Sequence, residues 1–507
     1  MSGQTIRQVV IVGGGTAGWM AAAGLARALG GAGLAITLVE SEAIGTVGVG
    51  EATLPQIRDF NRIAGIDERE MMARTAATIK LGIEFCDWGR PGDRYMHPFG
   101  TYGEQIGPAP FHHYWLKERA AKNGGSKPFG EYSFPIAAAW DGRFEPPSAG
   151  DGLLAYNYAF QFDAGLYAAY LSDVAQKAGV QRQEGRIVEV RREQTGGDIA
   201  AVVLEDGAVI EGDLFVDCSG FRALLIEQEL QTGFEDWSQW LPCNRAWAVP
   251  CETSSETVPY TRATARDAGW QWRIPLQHRV GNGHVYCNRY SSDQDAVDLL
   301  MANLEGKPIA DPRQLFFTTG KRHQMWNRNV VAIGLSGGFL EPLESTSIDL
   351  IQTGILNLIE LFPQGACAPV DVAEYNRLMD LEYGRIRDFL LLHYVANQRE
   401  GLPFWDDMRG MELPGSLAEK LEAFRSRGLT PDYSEGLFLL QSWLSVFIGQ
   451  NVVPETFDPR VEAMPDAERS AHLARIHSSI QEGVKRTEEH LSFIEQYGAR
   501  YRQGGAH

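Results

Sequence analysis

The first forty residues alternate apolar runs with glycine. Residues 9–12 are apolar, Gly13 to Gly18 read GGGTAG, and an Ala-rich amphipathic stretch runs to about Leu29. Gly30, Gly31 and Gly33 then precede a second apolar run, AITLVE, which ends at Glu40. An apolar run, a glycine turn, a helical period and a second run predict a strand–turn–helix–strand unit of about 30 residues.

Further along, residues 67–78 read as a helix and IKLGIEFC (79–86) as a strand. Residues 88–160 are rich in Gly, Pro and aromatics with weak periodicity, which predicts loops and short elements. A helix is expected over 165–178. Strands follow in RIVEV, IAAVVLE and LFVDC, between residues 181 and 216. Alternation in GWQWRIPL and HVYCNRY predicts antiparallel strands within 243–290. VVAIG (330–334) reads as a buried strand, followed by a helix near 346–361. Helices are expected beyond it at 371–397, 416–426, 434–448 and 466–497. No linker, internal repeat or low-complexity segment separates these parts, so the chain reads as one interwoven body.

Composition narrows the class. The chain has 507 residues, 44% hydrophobic and 22% charged, which suits a globular protein with a sizeable core. Its 46 basic and 65 acidic residues give a net charge of −19. Such a balance argues against nucleic acid and against an anionic membrane surface as partners. No run of about 18 apolar residues and no N-terminal signal core occurs, so a soluble, cytoplasmic protein is expected. Six cysteines without a CxxC pair support neither a zinc ribbon nor a disulfide framework, and no metal site is expected. His112 and His113 read as structural or pocket-rim residues.

Gly13, Gly15 and Gly18 fit GxGxxG between a strand and a helix. The first permits a tight turn, the second lets backbone approach a pyrophosphate, and the third allows close helix–strand packing. Thr16 and Ala17 open the helix, whose N–H groups face an anion. Glu40, 22 residues after Gly18, can accept from a ribose hydroxyl and disfavours a 2′-phosphate. Two later strands, DLFVDCSG (213–220) and NVVAIG (329–334), are what a flavin fold adds to close over its ring, and no second GxGxxG unit is present. The expected architecture is α/β: a Rossmann-like FAD-binding fold of the GR2 flavoprotein type, with a mixed antiparallel sheet and a helical C-terminal region. Residues 1–360 form the FAD-binding module, with inserted segments at about 80–170 and 240–300. Residues 361–507 are expected to form a helical, substrate-covering region interwoven with the first.

Five strings in order carry a resemblance: GVGEATLP (48–55), KLGIEF (80–85), DLFVDCSGFR (213–222), GWQWRIP (269–275) and SGGFLEPLEST (336–346). Together they resemble the flavin-dependent tryptophan halogenases over nearly the whole chain. WxWxIP, as Trp270, Trp272, Ile274 and Pro275, is the most specific. The resemblance implies that FAD, reduced by a separate reductase, reacts with oxygen and halide, chloride or bromide. The hypohalous acid passes through a tunnel to a lysine beside an aromatic substrate.

On that resemblance Lys80 is the catalytic lysine and Glu344 the catalytic glutamate. Glu341 reads more readily as a capping or solvated acid. Gly50, Glu51, Ala52 and Leu335 join Gly13, Gly15, Thr16, Ala17, Gly18 and Glu40 as cofactor-binding residues. Thr346 and Ser347 fall where backbone N–H groups bind halide; the family often has Gly where Ser347 stands. His97 and Phe99 match the His-x-Phe segment that sandwiches the indole, and Ser345, next to Glu344 and counted with the substrate residues, is expected to relay a hydrogen bond between the flavin and substrate regions. Trp270 and Trp272 share a strand face expected to keep the substrate from the flavin.

The C-terminal region departs from the pattern. Enzymes acting on free tryptophan hold the amino-acid end with a Tyr pair and a nearby Glu. Residues 438–450, FLLQSWLSVFIGQ, contain neither. The expected substrate is therefore an indole-type aromatic other than free L-tryptophan. An FAD-dependent aromatic monooxygenase is the alternative, and Lys80 with WxWxIP argues against it. A separate flavin reductase and a small aromatic are the expected partners, and a homodimer is left open.

Overall fold

The structure is a computed structural model and describes residues 6–42, 50–122, 125–147, 152–194, 196–253, 257–363, 365–430 and 436–502. A six-stranded sheet forms the first layer. Its spatial order is Trp326–Asn327, Val330–Ala332, Leu214–Asp217, Gln8–Val12, Ala35–Glu40 and Gln181–Glu184, parallel except at the Trp326–Asn327 edge. Strands buried on both faces require near-continuous apolar runs, which residues 9–12 and Leu214–Asp217 supply. Helix Thr16–Leu29 connects the first two strands and packs against helices Ala164–Lys177 and Thr346–Glu360.

A seven-stranded sheet forms the second layer. Its order is Arg313–Phe316, Arg245–Cys251, Val280–Tyr286, Gly269–Pro275, Thr261–Arg266, Gly82–Cys86 and Arg94–Pro98. Only Thr261–Arg266 and Gly82–Cys86 run parallel; the other neighbours are antiparallel. A small antiparallel sheet, Gly50–Ala52, Ala159–Asp163 and Thr78–Lys80, joins the layers, with Gly50 seated on Ile274 and Gly281. The expected α/β fold with a mixed sheet and C-terminal helices is therefore present.

Several elements differ from the sequence reading. Residues 88–160 hold the helices Phe111–Ala121 and Phe134–Trp140 rather than loops and short pieces alone. In the first of these, residues 111–116 are all buried, so no polar face marks the period. The expected helix at 67–78 ends at Thr75, because Ala76 turns into the left-handed region (φ 53°) and Thr78 begins a strand. The start of the expected 434–448 helix falls partly outside the described residues, and the helix itself begins at Leu440. The expected 466–497 helix is broken into Asp466–Arg486 and His490–Gln496. At the break, the Phe144 N–H donates to the Glu488 carbonyl and the His490 N–H to the Gly142 carbonyl.

All six cysteines are free thiols. Among the described residues no helix is long and apolar enough to cross a membrane, and no cluster of His, Cys, Asp or Glu could hold a metal.

Candidate active site

A cavity of about 890 Å³ runs from the glycine turn to the seven-stranded sheet. Gly13, Gly15, Thr16, Ala17, Glu40, Gly50, Glu51, Ala52, Leu335, Trp270, Trp272, Ser345 and Ser347 all line it, so thirteen of the expected positions converge on one space. Gly18 lies behind the lining. A side chain there would place Cβ 1.8 Å from the Gly13 carbonyl oxygen, and Gly13 itself has φ 111° with the Cys218 carbonyl against it. No side chain fits between turn and sheet, and that backbone approach is what a pyrophosphate requires. Glu40 pairs with Arg182, a cation at the sheet edge that sequence reasoning missed. Burial raises the Glu51 carboxyl to about 7.

The far wall is built by close packing. Trp270 and Trp272 lie 6.1 Å apart, centroid to centroid, on strand Gly269–Pro275. Gly283 stands opposite Trp272 in the ladder, and a Cβ there would lie 2.0 Å from the Trp272 ring. Helix Thr346–Glu360 starts at this end of the cavity. Its N-cap, Ser345, adopts φ 60°, and the Thr346 Oγ1 is buried without a hydrogen-bond partner. A helix N-terminus with an unpaired buried hydroxyl suits an anion. Size and glycine cradle fit a dinucleotide flavin, and the helix N-terminus at Ser347 fits a small anion beside it; Thr346 itself is buried behind the lining.

Lys80, Glu344, His97 and Phe99 meet behind Ser345, in a second, fully packed region. Lys80 ends strand Thr78–Lys80 and is completely buried. Its Nζ donates to Ser345 Oγ at 2.8 Å and to the Thr53 carbonyl at 3.0 Å, and it lies 5.2 Å from the Phe99 ring centroid. Burial lowers its pKa to about 7, partly opposed by the negative charge of Glu344.

The Glu344 Oε2 lies 2.8 Å from His97 Nδ1. Its Oε1 lies 2.8 Å from His393 Nε2, off the axis of the ring nitrogen. Burial alone would raise this carboxyl. The two histidines together outweigh it and hold Glu344 down at about 2. His97 Nε2 reaches Ser442 Oγ at 2.9 Å, and Phe438 stacks on Phe389 beside it, 6.0 Å from the His97 ring.

Sequence reasoning missed Thr53, Phe389, His393 and Ser442. Thr53 lies within the GEATLP string, whereas the others sit on C-terminal helices or their approach, where the resemblance is weakest. Glu341 corrects an expectation: it is fully buried rather than solvated, makes no side-chain cap, and accepts from the Tyr394 hydroxyl. His112 and His113 are buried against the Gly428 carbonyl and the Asp458 N–H, away from this cluster.

A parallel sheet with a glycine cradle, two tryptophans on the cavity wall and a buried lysine and carboxylate beyond Ser345 suit a flavin-dependent oxidoreductase. The tryptophan halogenase family model matches residues 8–466. The chain is 38% identical to tryptophan 6-halogenase SttH of Streptomyces toxytricini, over 85% of this chain and 86% of that protein. Among solved structures, Xcc4156, a flavin-dependent halogenase from Xanthomonas campestris, superposes with a TM-score of 0.95 at 48% identity, covering 99% of this chain and 100% of that one. BrvH, a flavin-dependent halogenase from Brevundimonas sp. BAL3, gives 0.93 at 45% identity, covering 97% and 99%. The chain belongs to the tryptophan halogenase family and is an enzyme; the monooxygenase alternative is not favoured.

Proposed function

We propose that the enzyme uses FADH2, oxygen and chloride or bromide to halogenate an indole-type aromatic other than free L-tryptophan, with Lys80 carrying the oxidised halogen. The observation that carries this reading is the Lys80 Nζ–Ser345 Oγ contact at 2.8 Å, because Ser345 also lines the flavin cavity. Ser345 thus touches the cavity on one side and the buried amine on the other. Bound reduced FAD, replenished by a separate reductase, supplies the oxygen chemistry that turns halide into hypohalous acid. Thr346 and Ser347, at the helix N-terminus, are suited to hold the halide.

With a pKa of about 7, Lys80 is available as ammonium or amine at neutral pH. The ammonium hydrogen-bonds hypohalous acid, and the amine takes up the halogen directly. In either case the halogen–oxygen bond breaks and the oxygen leaves as water with a proton taken from the Lys80 nitrogen, which the arene proton later restores, while a carbon–halogen bond replaces a carbon–hydrogen bond. The released proton goes to Glu344, the carboxylate the histidines keep ionised. His97, Phe99, Phe389 and Phe438 offer aromatic faces to a flat substrate. Residues 438–450 give no acid and no tyrosine to an amino-acid zwitterion.

The test supplies purified enzyme with FAD, a flavin reductase, NADH, oxygen, either halide, and a panel including indole and L-tryptophan. Mass spectrometry reads the halogen isotope pattern. Halogenated product that survives catalase and vanishes in Lys80→Ala supports the reading; an oxygenated, halogen-free product overturns it.

A further inference from the structure

The sheet opens at Lys80, and an imidazole from the C-terminal region fills the opening. Strands Gly82–Cys86 and Thr261–Arg266 run parallel with Ile83 opposite Thr261. Continuing that register backwards puts Leu81 opposite Pro259 and Ile79 opposite Thr257. The Leu81 N–H makes the first of these rungs directly, donating to the Pro259 carbonyl at 2.7 Å. The second rung is bridged. The Ile79 N–H donates to His490 Nε2 at 3.1 Å, and His490 Nδ1 donates to the Thr257 carbonyl at 2.8 Å.

Both partners are backbone groups of fixed polarity, so the ring must be neutral with its proton on Nδ1. The other edge of Thr78–Lys80 is already paired, with Ile79 opposite Phe160. Lys80 thus lies between one direct rung and one widened by a ring. The ring is 1% exposed and stands at the break between the last two helices, where the His490 N–H is tied to the Gly142 carbonyl.

We propose that His490 is a positioning residue for halogenation: its imidazole is the spacer that holds the Lys80 strand away from Thr257 and so sets where the Lys80 amine lies. The inference rests on reading Lys80 as the residue that carries halogen. Displacing a reacting group by about 1 Å costs on the order of a hundredfold in rate, so a spacer of this kind acts on turnover more than on flavin binding. A glutamine carboxamide offers an acceptor and a donor in similar relation; leucine offers neither.

The experiment compares full-length wild type, His490→Gln and His490→Leu with FAD, reductase, halide and the best aromatic of the panel. The expected result for His490→Leu is a kcat lower by about tenfold or more, a flavin Kd within about twofold, and faster amide exchange at Ile79. His490→Gln recovers most of the rate. Acid adds an independent readout. Burial, opposed by the Thr257 carbonyl, lowers His490 to about 4. Ionisable groups on the segments packed around it are Arg143, whose guanidinium is held by Asp141 and the Thr487 carbonyl, Glu488 and Glu489 on its own segment, and Lys80. Wild type is expected to lose turnover reversibly as pH falls from 6 toward 4, and His490→Gln to lose less. Wild-type turnover in His490→Leu, equal impairment of both variants, or identical acid limbs would overturn the proposal. Faster exchange at Ile79 with unchanged halogenation would overturn the positioning role while leaving the spacer geometry intact. Undiminished product in Lys80→Ala would locate the failure in the lysine reading.

Discussion

Lys80 and Ser345 are 265 positions apart in sequence, yet the Lys80 Nζ donates to the Ser345 Oγ at 2.8 Å. Ser345 belongs to both regions: it lines the cavity and stands at the N-cap position of helix Thr346–Glu360. Its left-handed φ of 60° turns the 342–344 turn into that helix, with Glu344 against His97 and His393. One residue in the left-handed region therefore touches both the cavity and the lysine.

Lys80→Met tests the lysine with little change of shape. Turnover to halogenated product should fall by about a hundredfold or more, with flavin affinity unchanged. A buried amine lowered to about 7 binds fewer protons in the folded state than unfolded between that value and 10.5. Wild-type stability should therefore rise with pH across that window, and the rise should be smaller in Lys80→Met. Thermal unfolding from pH 7 to 10, with flavin titrations, checks both statements.

Glu344→Gln keeps an acceptor for His97 and removes the base. We expect kcat to fall by about a hundredfold with KM for the aromatic nearly unchanged. The folded carboxyl is held at about 2. Its stabilising contribution is complete above the unfolded value near 4.5 and is lost as pH falls from there toward 2. Acid unfolding should consequently be less steep in Glu344→Gln below pH 4.5.

Gly283→Ala probes the tryptophan wall. The added Cβ meets the Trp272 ring at 2.0 Å and the Trp247 carbonyl at 2.5 Å. Overpacking at a ladder position costs about 1–3 kcal/mol, and the nearer atoms belong to the indole. The expected outcome is a lower Tm and more hydrogen peroxide released per NADH consumed, as the displaced indole opens the wall. An unchanged peroxide yield would remove Trp272 from the barrier.

Most of the nucleotide half is legible in the sequence because its constraints are local. Gly13, Gly18 and the two flanking apolar runs each answer to geometry within a few residues. Lys80 and Glu344 are legible only through the strings around them, since nothing in their own spacing brings them together. His393 and His490 are not legible at all: each lies in or at the start of a C-terminal helix, and its partner is more than forty residues away. The break at 487–489 fails for the same reason, because its cause is pairing with residues 142–144 rather than a local stop signal.

Substrate choice is tested at Phe438, which stacks on Phe389 at 4.0 Å and stands beside His97. Phe438→Ala should lower kcat/KM for indole by about tenfold, an aromatic contact's worth. In the wild type, kcat/KM for L-tryptophan should fall below that for indole by at least about tenfold, since its charged amino-acid end finds no partner along residues 438–450. Competition assays with the two substrates in one vessel measure the ratio directly.

Glu341 is an acid held away from water at the start of the turn that carries Glu344. Its carboxyl is fully buried, accepts from Tyr394, and leaves Oε2 without a partner. Burial raises its pKa to about 7, against the hydrogen bonds that lower it. The folded state therefore holds a proton that the unfolded chain releases near 4.5. Stability from this group is complete below that value and declines as pH rises through 7. Glu341→Gln keeps the acceptor for Tyr394 and cannot ionise. Between pH 5 and 8 the wild type should lose about 1–3 kcal/mol relative to Glu341→Gln. The difference in Tm measured at the two pH values reads this directly. A wild type that tracks Glu341→Gln across the range would mean that Glu341 ionises without cost, and that the turn carrying Glu344 is not held by a neutral carboxyl.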